Sequence, residues 1–290
     1  MRRTLILGAG GMLGYAVGAW FAWRGYQVAG TIHRQAWAGR FPAPCSLLFG
    51  VDALRFQTVI RALDEFQPDL AINCIAVRSA DDCSRLIEMF RVNGQFPQRF
   101  AAACAARGIH LIHISTDGVF DGREGNYDEQ SPTSPIDPYG RSKSFGEQPG
   151  AQALTLRTSM IGRAPSGSGT LLDWLMASRG KVVHGYSMVR FSGMPVTEIA
   201  RYLDTLISSG RPLPSGILHL PGHELDKFAL LRLLRRELRD SAPVLEDRSR
   251  TANRSLTSSR PDAFAGFEPS PWPDAIESMF RFYRAFGVPD

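Results

Sequence analysis

Short apolar runs alternate with stretches of helical periodicity through the first half of the chain. The run Thr4-Leu-Ile-Leu7 lies between charged residues and a glycine-rich turn, which is typical of a buried strand. Phe56, Val59, Leu63 and Phe66 recur at three- and four-residue intervals, which predicts an amphipathic helix. This alternation predicts an α/β fold of the Rossmann type, a doubly wound parallel sheet with helices on both faces. The predicted strands span residues 4–7, 27–32, 70–74, 110–114 and 154–157, and the predicted helices span residues 12–23, 56–66 and 93–106, with another beginning near residue 139.

The regular alternation ends in the second half of the chain. Residues 117–137 are polar and rich in glycine, proline and aspartate, which predicts a loop of about 20 residues, and loops of that length in a compact domain usually carry function. Beyond Ser159, irregular segments separate helices predicted over residues 195–207, 226–238 and 273–286. We therefore expect a larger domain over residues 1–160 and a smaller, mixed region over residues 161–290, some of whose elements return to the main sheet.

The composition is that of an ordinary globular protein. Of 290 residues, 44% are hydrophobic and 21% are charged, which excludes a disordered or fibrous protein. No apolar run reaches the roughly 18 residues of a membrane span, and the apolar stretch after Met1-Arg2-Arg3 is too short for a secretion signal. We expect a cytoplasmic protein. The cysteines lack the spacing of a zinc site, so we expect them to be apolar fillers and expect no metal; they are Cys45, Cys74, Cys83 and Cys104.

The net charge of +5 does not by itself indicate a nucleic-acid partner. Only three of the 33 basic residues are lysines, namely Lys143, Lys181 and Lys227, and the arginines are spread along the chain. This distribution is typical of a solvated surface, with a mild attraction for a phosphorylated small molecule as the alternative. We expect neither a nucleic acid nor a membrane as a partner.

A glycine-rich turn follows the first predicted strand and opens the first predicted helix. In such a turn one glycine allows the tight bend, a second allows a pyrophosphate to approach the backbone, and a third lets the helix pack against the strand. The N–H groups at the helix N-terminus then face the phosphates. The turn therefore predicts a dinucleotide site, with a merely tight strand–helix connection as the alternative. Its residues are Gly8, Gly10, Gly11, Met12, Leu13 and Gly14.

The end of the second predicted strand indicates which dinucleotide binds. Cofactors without a 2′-phosphate usually require an acidic residue there, but residues 15–51 contain no aspartate or glutamate. The strand ends instead in His33 and Arg34, and an arginine pairs well with a 2′-phosphate. We therefore expect NADPH rather than NADH. Asp52 is expected either to contact the adenine or to cap a helix.

Three residues that follow the fourth predicted strand in the sequence have the chemistry needed to reduce a carbonyl group. Tyr139 and Lys143 stand four residues apart, on one face of a helix, and Thr116 follows a strand whose carboxyl end faces the ligand crevice. Thr116 can donate a hydrogen bond to the substrate oxygen, and Tyr139 can give that oxygen a proton. Lys143 and the charge of the oxidised nicotinamide are expected to lower the pKa of Tyr139, and Lys143 also to hold the nicotinamide ribose.

Several motifs together resemble the extended short-chain dehydrogenase/reductases. Within them, the chain is most similar to the dTDP-4-dehydrorhamnose reductase group of nucleotide-sugar 4-ketoreductases. The similarity is specific over residues 1–163 and looser beyond. It is carried by the glycine turn, Asn73-Cys-Ile-Ala76, Val92-Asn93, Ser115-Thr-Asp-Gly-Val-Phe-Asp-Gly122, Tyr139-xxx-Lys143 and Leu156-Arg-Thr-Ser159.

The resemblance implies reduction, with NADPH, of the 4-keto group of a 6-deoxy nucleotide-diphosphate sugar for polysaccharide synthesis. It also implies that Thr116, Tyr139 and Lys143 are catalytic, and that a homodimer forms through the helices of residues 93–106 and 139–148. Further residues implied to line the cofactor cleft or brace the site are Cys74, Ile75, Ala76 and Asn93, and the residues taken as substrate contacts are Asp117, Val119, Asn126 and Arg190.

Differences from the motifs of related enzymes narrow the range of reactions expected of this chain. The related 4,6-dehydratases carry Asp-Glu after the threonine, whereas here Asp117 is followed by Gly118, which argues against dehydration. Residues 117–160 contain no cysteine, which argues against an epimerising reductase. Two alternatives stay open. In one the protein is a non-catalytic NADP-binding regulatory subunit, and in the other it is a nucleotide-sugar epimerase or a different reductase of the same superfamily. The nucleotide base and the sugar stay open as well.

Overall fold

A seven-stranded parallel sheet forms the centre of the computed structural model, which describes residues 2–32, 45–79, 82–147, 150, 152–167 and 169–287. The strand order across this sheet is β11-β6-β5-β4-β1-β2-β3, and every neighbouring pair is parallel. The seven strands are β1 (Thr4–Leu7), β2 (Val28–Ile32), β3 (Ser46–Phe49), β4 (Leu70–Asn73), β5 (His110–Thr116), β6 (Ala153–Thr158) and β11 (Gly216–His219).

Helices cover both faces of the sheet, because its central strands are apolar on both sides. In β1 and β4 every residue is buried. The helices are α1 (Met12–Trp23), α2 (Phe56–Phe66), α3 (Cys83–Phe90), α4 (Phe96–Ala105), α5 (Pro138–Phe145), α6 (Leu171–Ala177), α7 (Val196–Ser208), α8 (Lys227–Glu237) and α9 (Trp272–Ala285), with a π-helical turn over Arg91–Gln95 and 3₁₀ turns over Asp117–Val119 and Pro261–Phe264. On one face the side chains of α1 pack with those of α7 and α9, and on the other face those of α2 and α4 pack over β1 and β4.

The order of the strands places a crevice between β1 and β4. The chain proceeds outward from β1 to β2 and β3, then returns to β4 on the other side of β1. Ligands bind at such a switch point, beyond the carboxyl ends of the strands. The loops that follow β1 and β4 meet there: a Cβ atom on Gly8 would lie 2.9 Å from a side-chain carbon of Ile75.

The later part of the chain both completes the main sheet and builds small sheets of its own. Strand β11 pairs with β6 at the edge of the main sheet. Phe191 lies opposite Leu225 on one side and Arg254 on the other, in a three-stranded sheet. The remaining strands are β7 (Met160–Ile161), β8 (Val183–Tyr186), β9 (Val189–Phe191), β10 (Met194–Pro195), β12 (Leu225–Asp226), β13 (Val244–Asp247) and β14 (Ala252–Arg254).

The predicted α/β class and doubly wound parallel sheet are confirmed. The structure adds β3 and α3, which the hydrophobic pattern did not predict, and it divides the helix expected over residues 93–106 into the π-helical turn and α4. Within the described ranges, the helices are all too short or too polar to cross a bilayer.

Candidate active site

The glycine turn forms one end of a cavity of about 560 Å³ at the switch point. Gly8 has a φ of +79°, a conformation that side chains other than glycine rarely adopt. A Cβ atom on Gly14 would lie only 2.3 Å from the carbonyl oxygen of Gly8, so α1 approaches the turn as closely as its backbone allows. Gly11 is the N-cap residue of α1 and has no side chain that could accept hydrogen bonds from the first N–H groups of the helix. These donors remain available to an anion.

The cavity continues from the glycine turn to Tyr139 and Lys143, two of the three catalytic residues expected from the sequence, whereas Thr116 does not line it. Ile75 and Ala76, after β4, line the cavity, and so do Met160 and Ala164. His33 and Arg34 lie outside the described residues. The expected cofactor residues that line the cavity are Gly8, Gly10, Gly11, Met12, Leu13, Asp52, Cys74, Ile75, Ala76, Tyr139 and Lys143.

Two of the expected cofactor residues also have structural contacts. The carboxylate of Asp52 accepts hydrogen bonds from the backbone N–H of Leu54 at 2.9 Å and from Nε of Arg55 at 3.0 Å, so it holds the turn before α2 while it faces the cavity. Asn93 lies behind the wall. Its amide donates to the carbonyl oxygen of Val77 at 2.7 Å and to the hydroxyl of Ser142 at 2.9 Å, which ties the loop after β4 to α5.

Thr116 and Tyr139 come together at the carboxyl end of β5. The Thr116 hydroxyl accepts a hydrogen bond from the N–H of Gly118 at 3.0 Å and donates to the Asp117 carboxylate at 3.2 Å. Burial, and then the charge of Asp117, raise the pKa of Tyr139 to about 12, although Arg78 and a hydrogen bond with Thr116 oppose the shift. Tyr139 is therefore protonated at neutral pH and can act as an acid.

Lys143 lies one helical turn beyond Tyr139 and is buried, with 2% of its surface exposed. Its Nζ donates a hydrogen bond to the carbonyl oxygen of Ile114 at 2.6 Å and lies 3.3 Å from Nε2 of His113. Burial lowers the pKa of Lys143 to about 8, while Glu147 and Cys74 act in the opposite direction.

Beside Tyr139, Asp117 lies near two basic side chains that were not predicted at the site, Lys227 and Arg254. Burial raises the pKa of Asp117, while the positive charges of Lys227 and Arg254 lower it. Lys227 Nζ lies 3.6 Å from the centre of the Phe191 ring, and Nε of Arg254 is buried without a hydrogen-bond partner in the described structure. The small sheet brings them together, because β12 leads into Lys227 and β14 ends at Arg254. Their remote sequence positions gave no signal, apart from the rarity of lysine in this chain.

The other expected substrate contacts have different environments. Val119 is fully buried in a small cluster with Phe120, Tyr127 and Leu256, so its position does not support a contact with substrate. Asn126 adopts a φ of 51°, and its N–H donates to the hydroxyl of Ser255 at 2.8 Å, which makes it a turn residue.

Arg190 is more than half exposed and pairs with Glu224 at 3.1 Å. Successive side chains of a strand point to opposite faces, so Arg190 points away from the face on which Phe191 meets Lys227. Its position does not support the expectation that it contacts substrate.

A buried polar network supports the floor of the site. The Arg157 guanidinium donates to both oxygens of Glu147, at 2.8 and 2.7 Å, and to Nε2 of His219 at 3.1 Å. Glu147 also accepts a hydrogen bond from Ser115, next to Thr116, at 2.7 Å. Arg157 is therefore fully engaged in holding β5, β6 and β11 together at the edge where the site lies.

A dinucleotide fits the residues that this cavity presents. The positive φ of Gly8 and the close approach of Gly14 leave the backbone bare where a pyrophosphate would lie, and the same cavity reaches Tyr139 and Lys143. The described part of the chain contains no group of three or more histidine, cysteine, aspartate or glutamate side chains arranged to hold a metal ion.

Comparison with known proteins agrees with this architecture. The family model described as the RmlD substrate binding domain matches residues 1–284. A probable low-salt glycan biosynthesis reductase, Agl14, of Haloferax volcanii is 38% identical over 164 residues, which are 54% of this chain and 53% of that protein. Methionine adenosyltransferase 2 subunit beta of Danio rerio is 36% identical over 159 residues, 53% of this chain and 46% of that protein. The chain spans about half the length of these curated relatives.

A solved structure extends the agreement to the whole fold. The dTDP-4-dehydrorhamnose reductase of Bacillus anthracis, in complex with NADP, superposes with a TM-score of 0.79 at 20% identity, over 97% of this chain and 99% of that one. The match to the family model covers nearly all of the sequence, and it confirms the resemblance drawn from the motifs. The chain belongs to the RmlD substrate-binding-domain family.

Proposed function

We propose that this protein reduces the 4-keto group of a 6-deoxy nucleotide-diphosphate sugar with NADPH, as a reductase of the dTDP-4-dehydrorhamnose type. The observation that carries the proposal is that Tyr139 and Lys143 line the same cavity as the glycine turn, while Thr116 lies in hydrogen-bond contact with Tyr139. A protein that only bound a dinucleotide would need the turn but not these side chains. The names of the relatives, which include a glycan biosynthesis reductase, support the same reading.

Each catalytic residue has a task that its environment suits. Tyr139, whose raised pKa keeps it protonated, gives its proton to the carbonyl oxygen of the sugar. Thr116 turns its hydroxyl proton from the Asp117 carboxylate to that oxygen and donates a hydrogen bond to it as negative charge develops. Lys143, anchored on the carbonyl oxygen of Ile114, orients the cofactor ribose. NADPH, when bound, supplies the hydride.

The preference for NADPH rests on the sequence at the end of β2. Residues 15–51 lack aspartate and glutamate, and Arg34, which follows β2 in the sequence, is a residue type that pairs well with a 2′-phosphate. The NADP bound to the Bacillus anthracis structure agrees with this choice. We expect NADH to support the reaction only weakly.

The experiment that tests the proposal follows the loss of NADPH absorbance with two candidate substrates. They are dTDP-4-keto-6-deoxy-L-mannose and the corresponding UDP N-acetylamino sugar, each supplied to the wild-type protein and to Tyr139→Phe. We expect turnover with one sugar and a loss of at least about 1,000-fold in Tyr139→Phe, because the proton donor is removed while the fold is kept. Tyr186→Phe, on β8 away from the cavity, serves as the matched control and should keep full activity.

Other outcomes would point elsewhere. Binding of NADPH without turnover of either sugar would overturn the proposed reaction and favour a regulatory role. Conversion of a nucleotide sugar with no net oxidation of NADPH would indicate an epimerase.

A further inference from the structure

A buried histidine links Lys143 to the end of β4. His113 lies on β5, is fully buried, and has Nδ1 at 3.1 Å from the amide nitrogen of Asn73. On its other side, Nε2 of the ring lies 3.3 Å from Nζ of Lys143. Asn73 is fully buried as well. The three side chains therefore form a row beneath the cavity, from β4 through β5 to α5.

The hydrogen bonds of Asn73 determine which nitrogen of His113 carries the proton. The Oδ1 atom of Asn73 accepts a hydrogen bond from the backbone N–H of Ile75 at 3.1 Å, so its NH₂ group must be the end that faces His113. An NH₂ group only donates, which makes Nδ1 of His113 the acceptor. Burial, followed by the charge of Lys143, holds the pKa of His113 well below its usual value, so the ring is neutral. Because Nδ1 accepts a hydrogen bond and carries no proton, the single proton of the neutral ring lies on Nε2.

The Nε2–H group therefore points at Lys143, and this arrangement favours the uncharged amine. An ammonium group has three donors and no lone pair, so it would oppose the Nε2–H donor. A neutral amine donates to the carbonyl oxygen of Ile114 and accepts the hydrogen bond from His113 with its lone pair. The environment of Lys143 thus offers one acceptor, the carbonyl oxygen of Ile114, and one donor, the Nε2–H of His113. A neutral amine can bond to both, because it both donates and accepts hydrogen bonds.

The other titratable groups around Lys143 also affect the balance between its ammonium and amine forms. Glu147, two residues beyond the end of α5, and Cys74, after β4, favour the ammonium. Glu147 is already held by two hydrogen bonds from Arg157, and burial raises the pKa of the Cys74 thiol to about 12, which keeps it neutral. Tyr139, one turn away, is also protonated at neutral pH.

We propose that Asn73 and His113 are positioning residues that set the protonation of Lys143, with the Nε2–H of His113 directed at Nζ to bring the amine close in free energy to the ammonium. This inference deepens the proposed function, since a lysine poised in this way gains and loses a proton near neutral pH beside the catalytic tyrosine. It needs no change in the position of Lys143.

The chain offers a direct test, because it contains only three lysines. We would label the lysines with ¹³C at Cε and follow their NMR signals against pH in the full-length protein without cofactor. Lys181→Arg and Lys227→Arg assign the remaining signal to Lys143. In His113→Gln, the side-chain oxygen of glutamine replaces the donor with an acceptor, and we expect the proton affinity of Lys143 to increase at least tenfold. His110→Gln, the same substitution at the start of the same strand, should leave Lys143 unchanged.

A second variant keeps the proposal open to refutation if His113→Gln does not fold. Asn73→Asp has the same shape but accepts rather than donates, so it should move the histidine proton to Nδ1 and leave Nε2 as an acceptor for an ammonium. The ¹⁵N signals of His113 report this change directly. An Nδ1–H tautomer in the wild-type protein, or a Lys143 titration unchanged in both variants, would overturn the proposal. Because these measurements need neither substrate nor turnover, their failure is distinct from failure of the proposed reaction.

Discussion

At the scale of single residues, the site combines groups whose burial moves their pKa values in opposite senses. Tyr139 is held in its acidic, protonated form, while Lys143 is held close to losing its proton. The uncharged form of each group is favoured by the same cause, since both are removed from water by β5, α5 and the loop after β4. In the structure, the groups that lower the pKa of Tyr139 are Arg78 and Thr116 rather than Lys143, which differs from the expectation drawn from the sequence.

The buried lysine should make the stability of the protein depend on pH. In the unfolded chain Lys143 has the ordinary pKa of 10.5, and in the folded chain its pKa is about 8. Between these values the unfolded chain binds more protons, so the free energy of unfolding rises with pH across that interval. Relative to Lys143→Met, we expect the wild-type protein to gain roughly 3 kcal/mol from about pH 8 to about pH 10.5.

Urea denaturation of both proteins at several pH values measures this gain. Subtracting the Lys143→Met values removes the contribution of every other titrating group. A constant difference between the two proteins across the interval would show that Lys143 keeps its ordinary pKa when folded.

The sequence predicted part of this site because that part is local. Tyr139 and Lys143 share a helix face at a spacing of four, and the glycine turn lies between consecutive elements, so short-range patterns are sufficient. His113, Lys227 and Arg254 reach the site through strand pairings across the chain, which no local pattern encodes. Their place in the site can be recognised only when the register of β9 with β14, and of β4 with β5, is known.

At the scale of elements, the contact between α1 and the glycine turn leaves no room for a side chain at Gly14. The pattern predicted β1 and α1 well because both are strongly apolar. It did not predict β3, whose position at the sheet edge leaves its residues partly exposed, or α3, which exposes Ile87. Elements that bury little carry a weak periodic signal, whatever their place in the site.

Two glycines of α1 provide a matched test of this close contact. In Gly14→Ala the new Cβ would lie 2.3 Å from the carbonyl oxygen of Gly8, so the helix must move away from the turn. We expect a destabilisation of at least about 2 kcal/mol, together with a loss of NADPH affinity. In Gly18→Ala the new atom would meet Ile6 at 3.7 Å, an ordinary contact, and the better helix propensity should stabilise the protein by up to about 1 kcal/mol.

Calorimetric melting and NADPH titration of the two variants distinguish these effects. Equal behaviour of Gly14→Ala and Gly18→Ala would mean that the turn does not require the close approach of the helix. A loss of affinity in Gly18→Ala would likewise count against the assignment of the turn as the cofactor site.

At the scale of the whole molecule, the two regions expected from the sequence share one core. The outer face of α1 is covered by residues that lie far along the chain: Nε1 of Trp20 donates to Asp204 at 3.1 Å, and the Trp20 ring stacks on Phe282. The hydroxyl of Tyr15 donates to the carbonyl oxygen of Phe286 at 2.9 Å. Removing the later region would uncover this face and leave β6 as an unpaired edge.

We therefore expect residues 1–160 expressed alone not to form a stable fold. The fragment keeps the glycine turn and the catalytic residues, yet it loses β11 and the cover that α7 and α9 give to α1. Circular dichroism and urea denaturation of the fragment, beside the full-length chain, measure this directly. A cooperative unfolding transition in the fragment would show that the first region is an independent domain.

The cover of α1 by α7 and α9 also has a consequence for synthesis on the ribosome. Helix α1 is complete once Trp23 has been added, whereas Phe282 and Phe286, which pack against its face, are added only after all the elements from β2 to α8. At roughly 5–20 residues per second, that apolar face waits for roughly 10–50 s before its partners exist. Over that interval the nascent chain exposes the surface that holds the finished protein together, and a chaperone that shields such surfaces would be expected to raise the yield of folded protein.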